Sequence, residues 1–219
     1  GNPRLGQETG VGVDAFVRLT RGAVRGELAA FRNALAGYVF PRNTGLLGRQ
    51  GGRPLFQFTA RDALLAGVDG SVEWAVTRTL VVDATASFVR GTLRGAPDSL
   101  PADEGLGLAA RAGSRYLPLV PPLQGRLGAR YERPRWFAGA AVRAAARQER
   151  LGDYETPTAG YAVGDLSAGA RVVLGARLHT LTLRVDNVLD QEYRDHLSRV
   201  KVILPEAGRN VSLLYRVAF

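Results

Sequence analysis

The sequence predicts an all-β fold, the wall of a transmembrane antiparallel β-barrel with about nine strands. Three observations lead there. Apolar and polar residues alternate with period 2 in segment after segment, whereas the helical 3.6 period is poorly represented. Tight turns and long loops alternate strictly between those segments. No apolar run reaches the roughly 18 residues that a membrane-crossing helix needs, but a barrel strand needs only about 9–11 residues of alternating polarity.

The first strand is expected near 10–20, where Val11, Val13, Ala15, Val17 and Leu19 alternate with Gly12, Asp14, Phe16 and Arg18. A second is expected near 23–38; from Val24 to Leu35 its alternation is less clean, which suggests a bulge. A third is placed near 54–76. The fourth, near 79–92, sets Leu80, Val82, Ala84, Ala86 and Phe88 against Val81, Asp83, Thr85 and Ser87. Strands five and six, near 118–132 and 135–149, carry Leu119, Leu123, Leu127, Ala129 and Tyr131, then Trp136, Ala138, Ala140, Val142 and Ala144. Their opposite face holds Arg126, Arg130, Glu132, Arg143, Arg147 and Glu149, which would point into a lumen. The last three strands are expected near 160–174, 178–189 and 209–219. In the final one Val211, Leu213, Tyr215 and Val217 alternate with Asn210, Ser212 and Arg216, and Phe219 closes the chain.

The connections carry equal weight. Arg21-Gly22, Thr77-Arg78, Arg133-Pro134 and Gly175-Ala176-Arg177 are tight. Those around Pro41 to Arg53, Gly91 to Leu117, Arg150 to Ala159 and Asp190 to Gly208 are long. Short periplasmic turns and long extracellular loops give this rhythm. A soluble sandwich also alternates in polarity, but its strands average about five or six residues and its loops keep no such order.

Composition narrows the function classes. With no Cys among 219 residues, disulfide frameworks, thiolate metal sites and cysteine nucleophiles are excluded. With no Met and with Gly at position 1, the chain reads as part of a longer or processed product. The net charge of +9 is almost all arginine, Lys201 being the only lysine. The arginines are spread and not clustered, which favours a compositional bias over a nucleic-acid surface.

The stretch from Leu181 to Phe219 resembles the end of a TonB-dependent outer-membrane receptor. Asn187-Val188-Leu189-Asp190 followed by Tyr193 resembles the family's N-L-F-D-x-x-Y. Pro205 with Gly208-Arg209-Asn210 resembles the P-G-R-N that opens the last strand, and Phe219 ends an alternating strand. Gly1-Asn2-Pro3-Arg4-Leu5 with Glu8, Ala60-Arg61-Asp62-Ala63 with Asp69 in place of the usual Glu, Leu117-Pro118 with Pro121-Pro122, and Glu155-Thr156 with Gly160-Tyr161 resemble further family motifs in the family's order. The resemblance implies that residues 1–219 are the C-terminal part of a barrel of about 22 strands, with an N-terminal plug outside this sequence. It implies a Gram-negative outer membrane, coupling to the TonB complex through that plug, and uptake of an iron–siderophore, haem, cobalamin or metal complex. The barrel-assembly machinery, which would read Tyr215, Val217 and Phe219, and outer-membrane lipid and lipopolysaccharide are the implied partners. A small passive pore is the alternative.

Chemistry beyond transport is not indicated. Asp195, His196 and Ser198 are sequence neighbours with no nucleophile elbow around them, so no enzyme activity is expected. No P-loop or dinucleotide signature and no cofactor motif is present. Asp195 and His196, with Asp190 and Glu192 nearby, are candidate metal contacts of the O and N type. The competing reading is a solvated polar loop. His179, beside a tight turn, is expected at the periplasmic rim.

Overall fold

A computed structural model describes residues 2–3, 5–47, 54–95, 99–100, 111–153 and 155–218. Nine strands form one sheet: β1 (Thr9–Arg21), β2 (Val24–Leu47), β3 (Pro54–Ala75), β4 (Leu80–Leu93), β7 (Gln124–Glu132), β8 (Trp136–Ala145), β9 (Tyr161–Leu174), β10 (Arg177–Asp186) and β11 (Asn210–Ala218). Each pairs antiparallel with the next in that order, so the sheet is an unbroken meander. A separate ladder joins β5 (Ser99–Leu100) to β6 (Arg111–Ala112) within the connection from β4 to β7. Helices are absent among the described residues.

Register shows why these residues make this sheet. Val17 lies opposite Leu28, Leu28 opposite Gly70, Gly70 opposite Ala86 and Ala86 opposite Gly125. Farther along, Leu127 meets Val142, Ala140 meets Leu166, Ala168 meets Leu183 and Leu183 meets Leu213. Facing residues in a ladder share a side of the sheet, so one apolar face runs across all nine strands. A slip of one residue anywhere would invert it. These side chains are not packed on protein: Val17 is 68% exposed and Leu213 is also 68% exposed. A monomeric soluble domain does not leave so large an apolar face uncovered; a barrel wall facing lipid does.

The strands differ from expectation in three places. β2 continues to Leu47 instead of stopping near 38, and its bulge lies just beyond the expected segment. Leu35 pairs with Ala63 and Tyr38 with Arg61, so Ala36 and Gly37 together face Asp62. Gly37 has φ +67 and donates its N–H to Asp62 Oδ1 at 3.0 Å; glycine takes that angle without a Cβ penalty. Second, 118–123 is not strand. Pro118, Pro121 and Pro122 have no N–H to give a ladder, and Leu119 adopts φ 58. Third, β8 ends at Ala145, with only an isolated bridge from Gln148 to Thr158 beyond it.

At the long-loop end the 113–123 segment turns onto the face opposite the apolar one. Leu117 and Val120 join Phe40, Ala63 and Leu93 in the main buried apolar cluster. Gly91 makes room: a Cβ there would lie 2.9 Å from Leu117 Cδ1 and 3.0 Å from Val120 Cγ2.

Candidate functional site

On the face opposite the apolar one, charges meet in pairs. Arg126 bonds Asp83, and Arg18 Nε meets Glu27 Oε2 at 2.6 Å. Arg171 Nη2 reaches Glu132 Oε1 at 2.7 Å and Arg184 Nε reaches Asp186 Oδ1 at 2.6 Å. Arg143 forks onto Asp165, with Nε at 2.8 Å from Oδ2 and Nη2 at 3.3 Å from Oδ1. Asp165 Oδ1 also accepts the Asn187 N–H at 3.0 Å. Of the six charges expected to point inward, Arg126, Arg130, Glu132 and Arg143 share this face, whereas Arg147 and Glu149 lie beyond the end of β8 and pair with each other at 2.9 Å. Between these rows Gly139 and Ala141 leave a trough of about 390 Å³ lined by Asp83, Arg126, Arg130, Arg143, Asp165 and Arg184. Exposed ion pairs contribute little to stability. Their effect here is a polar, wettable wall that holds fixed charge of both signs.

The long loops form a second site. Asn187, 2% exposed and at φ 51, pins the start of the last loop: its Nδ2 donates to Gln191 O at 2.8 Å and its Oδ1 accepts the Gln191 N–H at 2.9 Å. Tyr193 then packs on Tyr161, ring centroids 4.5 Å apart. Beyond it His196 is only 3% exposed, so the solvated-loop reading is corrected for this residue. Its Nδ1 lies 2.9 Å from Thr158 Oγ1 and 3.0 Å from Lys201 Nζ. An ammonium only donates, so Nδ1 accepts and the proton sits on Nε2. Nε2 is buried without a hydrogen-bond partner, 3.7 Å from Glu155 Oε1. Burial, and then the Lys201 charge, hold the imidazole below its usual pKa; burial likewise lowers Lys201. Glu155 in turn accepts the N–H groups of Leu119 at 2.8 Å and Gly152 at 2.6 Å. Three loops are thereby tied together around the single lysine. Beside them lies a cavity of about 410 Å³ lined by Thr156, Tyr161, Glu192, Tyr193, Arg194 and Lys201.

The remaining sequence candidates fall as follows. Asp195 Oδ1 accepts the Leu197 N–H at 2.7 Å and closes a local turn. Among the described residues no group of three or more His, Cys, Asp or Glu is arranged to hold a metal ion. Ser198 donates its N–H to Asp195 O at 3.3 Å, a turn contact and no part of a triad. His179 lies near the Gly175–Ala176 turn with Nδ1 2.5 Å from Tyr215 Oη. Tyr215 and Val217 are on the apolar face of β11, opposite Leu181 and His179. Phe219, Gly1 and Arg4 lie outside the described residues.

Register also shows what periodicity hid. Arg32 and Arg90 both stand opposite Ala66 on the apolar face. Periodicity alone does not single them out, because Arg32 lies in the unclean stretch of β2 and Arg90 at the upper end of β4. The one available signal was their even-numbered parity, shared with Leu28, Ala30, Ala86 and Phe88.

An antiparallel meander with one apolar face, one charged face and loops gathered at one end has the arrangement of a β-barrel wall. The TonB dependent receptor-like beta-barrel family model matches residues 1–188, and the chain belongs to that family. The copper transporter OprC superposes with a TM-score of 0.75 at 22% identity, covering 95% of this chain and 31% of that one. The FrpB iron transporter from Neisseria meningitidis gives 0.67 at 16%, covering 97% and 31%. The ferric-catecholate import receptor Fiu from E. coli K12 gives 0.62 at 19%, covering 95% and 27%. The chain thus spans about a third of the length of these structures. No curated protein sequence matches it.

Proposed function

We propose that this chain supplies strands and loops to an outer-membrane receptor that imports a scarce ligand by TonB-coupled transport. The candidate ligands are iron–siderophores, haem, cobalamin and metal complexes. The observation that carries the reading is the face sorting across nine strands in a chain of this family: lipid-ready outside, paired charge inside. The similar structures include a copper transporter and iron importers, which supports a metal or metal chelate as cargo. The plug couples to the TonB complex, the apolar face lies in an outer membrane carrying lipopolysaccharide, and the assembly machinery reads Tyr215, Val217 and Phe219.

The test is whole-cell uptake by the intact receptor, with labelled ferric and copper chelates supplied singly. Saturable uptake that stops when a protonophore collapses the proton gradient is the expected result. Uptake that is unsaturable and indifferent to the protonophore would instead establish a passive pore.

A further inference from the structure

Arginine on a lipid-facing wall requires a reason. Arg32 and Arg90 flank Ala66 from the two neighbouring strands, which sets them roughly 10 Å apart across two strand spacings. Both are exposed, and among the described residues no carboxylate lies within ion-pair reach of either. Phe88, two positions before Arg90, shares its face, and Arg150 from the β8–β9 loop lays its guanidinium over that ring, Cζ 4.9 Å from the centroid. Arg150 Nε is buried with no hydrogen-bond partner. Arg90 Cζ lies 6.0 Å from the Tyr116 ring. Arg32 and Arg90 therefore flank an apolar floor of Ala66, Val68 and Ala86, Arg150 lies beside it over Phe88, and no anion is supplied to them among the described residues.

Their height identifies the anion. Arg32 comes eight residues after β2 starts at Val24, and Arg90 ten after β4 starts at Leu80. At about 3.3 Å per residue and a tilt near 40°, that is roughly 20–26 Å above the tight turns, the top of an apolar band about 25 Å tall. At the bottom of the same face sit Trp74, Tyr131 and Trp136, the last two with rings 5.0 Å apart, as a lower aromatic girdle. The arginines thus stand at the headgroup level of the outer leaflet, where guanidinium forks fit phosphate.

We propose that Arg32, Arg90 and Arg150 bind the phosphate groups of an outer-leaflet glycolipid, whose acyl chains lie along the apolar face below. This rests on the outer-membrane placement proposed above. A free phosphate would gain nothing from the apolar floor, so the structure favours the lipid as its source.

The experiment uses the intact receptor in a non-ionic detergent, with bound lipid counted by native mass spectrometry. The probes are bisphosphorylated lipid A, the same lipid with both phosphates removed, and inorganic phosphate. The receptor is expected to prefer the bisphosphorylated lipid by about tenfold or more, on the order of the attraction of two basic residues near a lipid surface. R32Q/R90Q should lose that preference, whereas R18Q on the opposite face should keep it. Equal binding of the two lipids by the unaltered receptor would overturn the proposal even if the double variant failed to assemble. An undiminished preference in R32Q/R90Q would also overturn it, as would displacement of the lipid by millimolar inorganic phosphate. Ligand uptake is read separately, so failure of this site leaves the import reading standing, and failure of import leaves the lipid result readable.

Discussion

The residue with the sharpest conditional behaviour is His196. It is buried as the neutral ring, with Lys201, Glu155 and Asp195 as the charges around it. Its pKa in the fold lies below the ordinary value near 6.5, so the unfolded loop binds a proton more readily than the folded one. The stabilisation from the neutral ring is full above about 6.5 and is lost as pH falls from there towards the folded value. Hydrogen exchange in residues 192–204 of the intact receptor, corrected for intrinsic rates, should therefore rise between pH 7 and pH 5. His196→Gln should flatten that rise; an equal rise in the variant would show that another group titrates. Arg143 behaves differently. Asp165 has a side chain only 12% exposed, and Arg143→Gln leaves its charge with the Asn187 N–H as remaining donor. The expected cost is about 1–3 kcal/mol, seen as a lower urea midpoint, and Asp165→Asn in the same chain should restore part of it.

Among the elements, the inward-turned 113–123 segment depends on the absence of a side chain in β4. Gly91→Val would push into Leu117 and Val120, and overpacking of this kind costs about 1–3 kcal/mol. The expected signature is local: faster proteolysis within 113–123 of the intact receptor, with cleavage elsewhere unchanged. Protection equal to the parent protein would mean that the cluster relaxes around the new methyls. This segment also marks where sequence reading reaches its limit. Alternating Leu119, Leu123 and Leu127 look like one strand, yet the prolines between them remove ladder donors and redirect the chain. The expected end of β2 near 38 falls short of Leu47 for a related reason: the bulge at Ala36–Gly37 breaks the alternation of faces. Where parity is unbroken, in β4, β7, β8 and β11, the faces follow directly from the residues. The loop site was legible only in part. Glu155, Tyr161, Asn187 and Tyr193 stood out as motif residues, but motifs carry no depth, so the burial of His196 against Lys201 needed three loops in space.

At the scale of the whole molecule, stability depends on the solvent assigned to each face. Leu213 and Leu214 are neighbours in β11 and are similarly exposed, at 68% and 56%. Leu213 shares its face with Leu183, whereas Leu214 faces Thr182 on the charged side. In a soluble sheet with both faces in water, arginine at either position would cost little. In a bilayer, arginine near the midplane of the lipid face costs about 2–4 kcal/mol, and in the lumen far less. Leu213 is the fourth residue of the nine in β11, close to mid-strand. Leu213→Arg should therefore lower the yield of folded, heat-modifiable receptor in outer membranes, while Leu214→Arg should leave most of it. Equal yields from the two variants would show that the apolar face is not in lipid. The same contrast explains why Arg32 and Arg90 are tolerated where Leu213→Arg is not expected to be: depth, and not the face alone, sets the penalty.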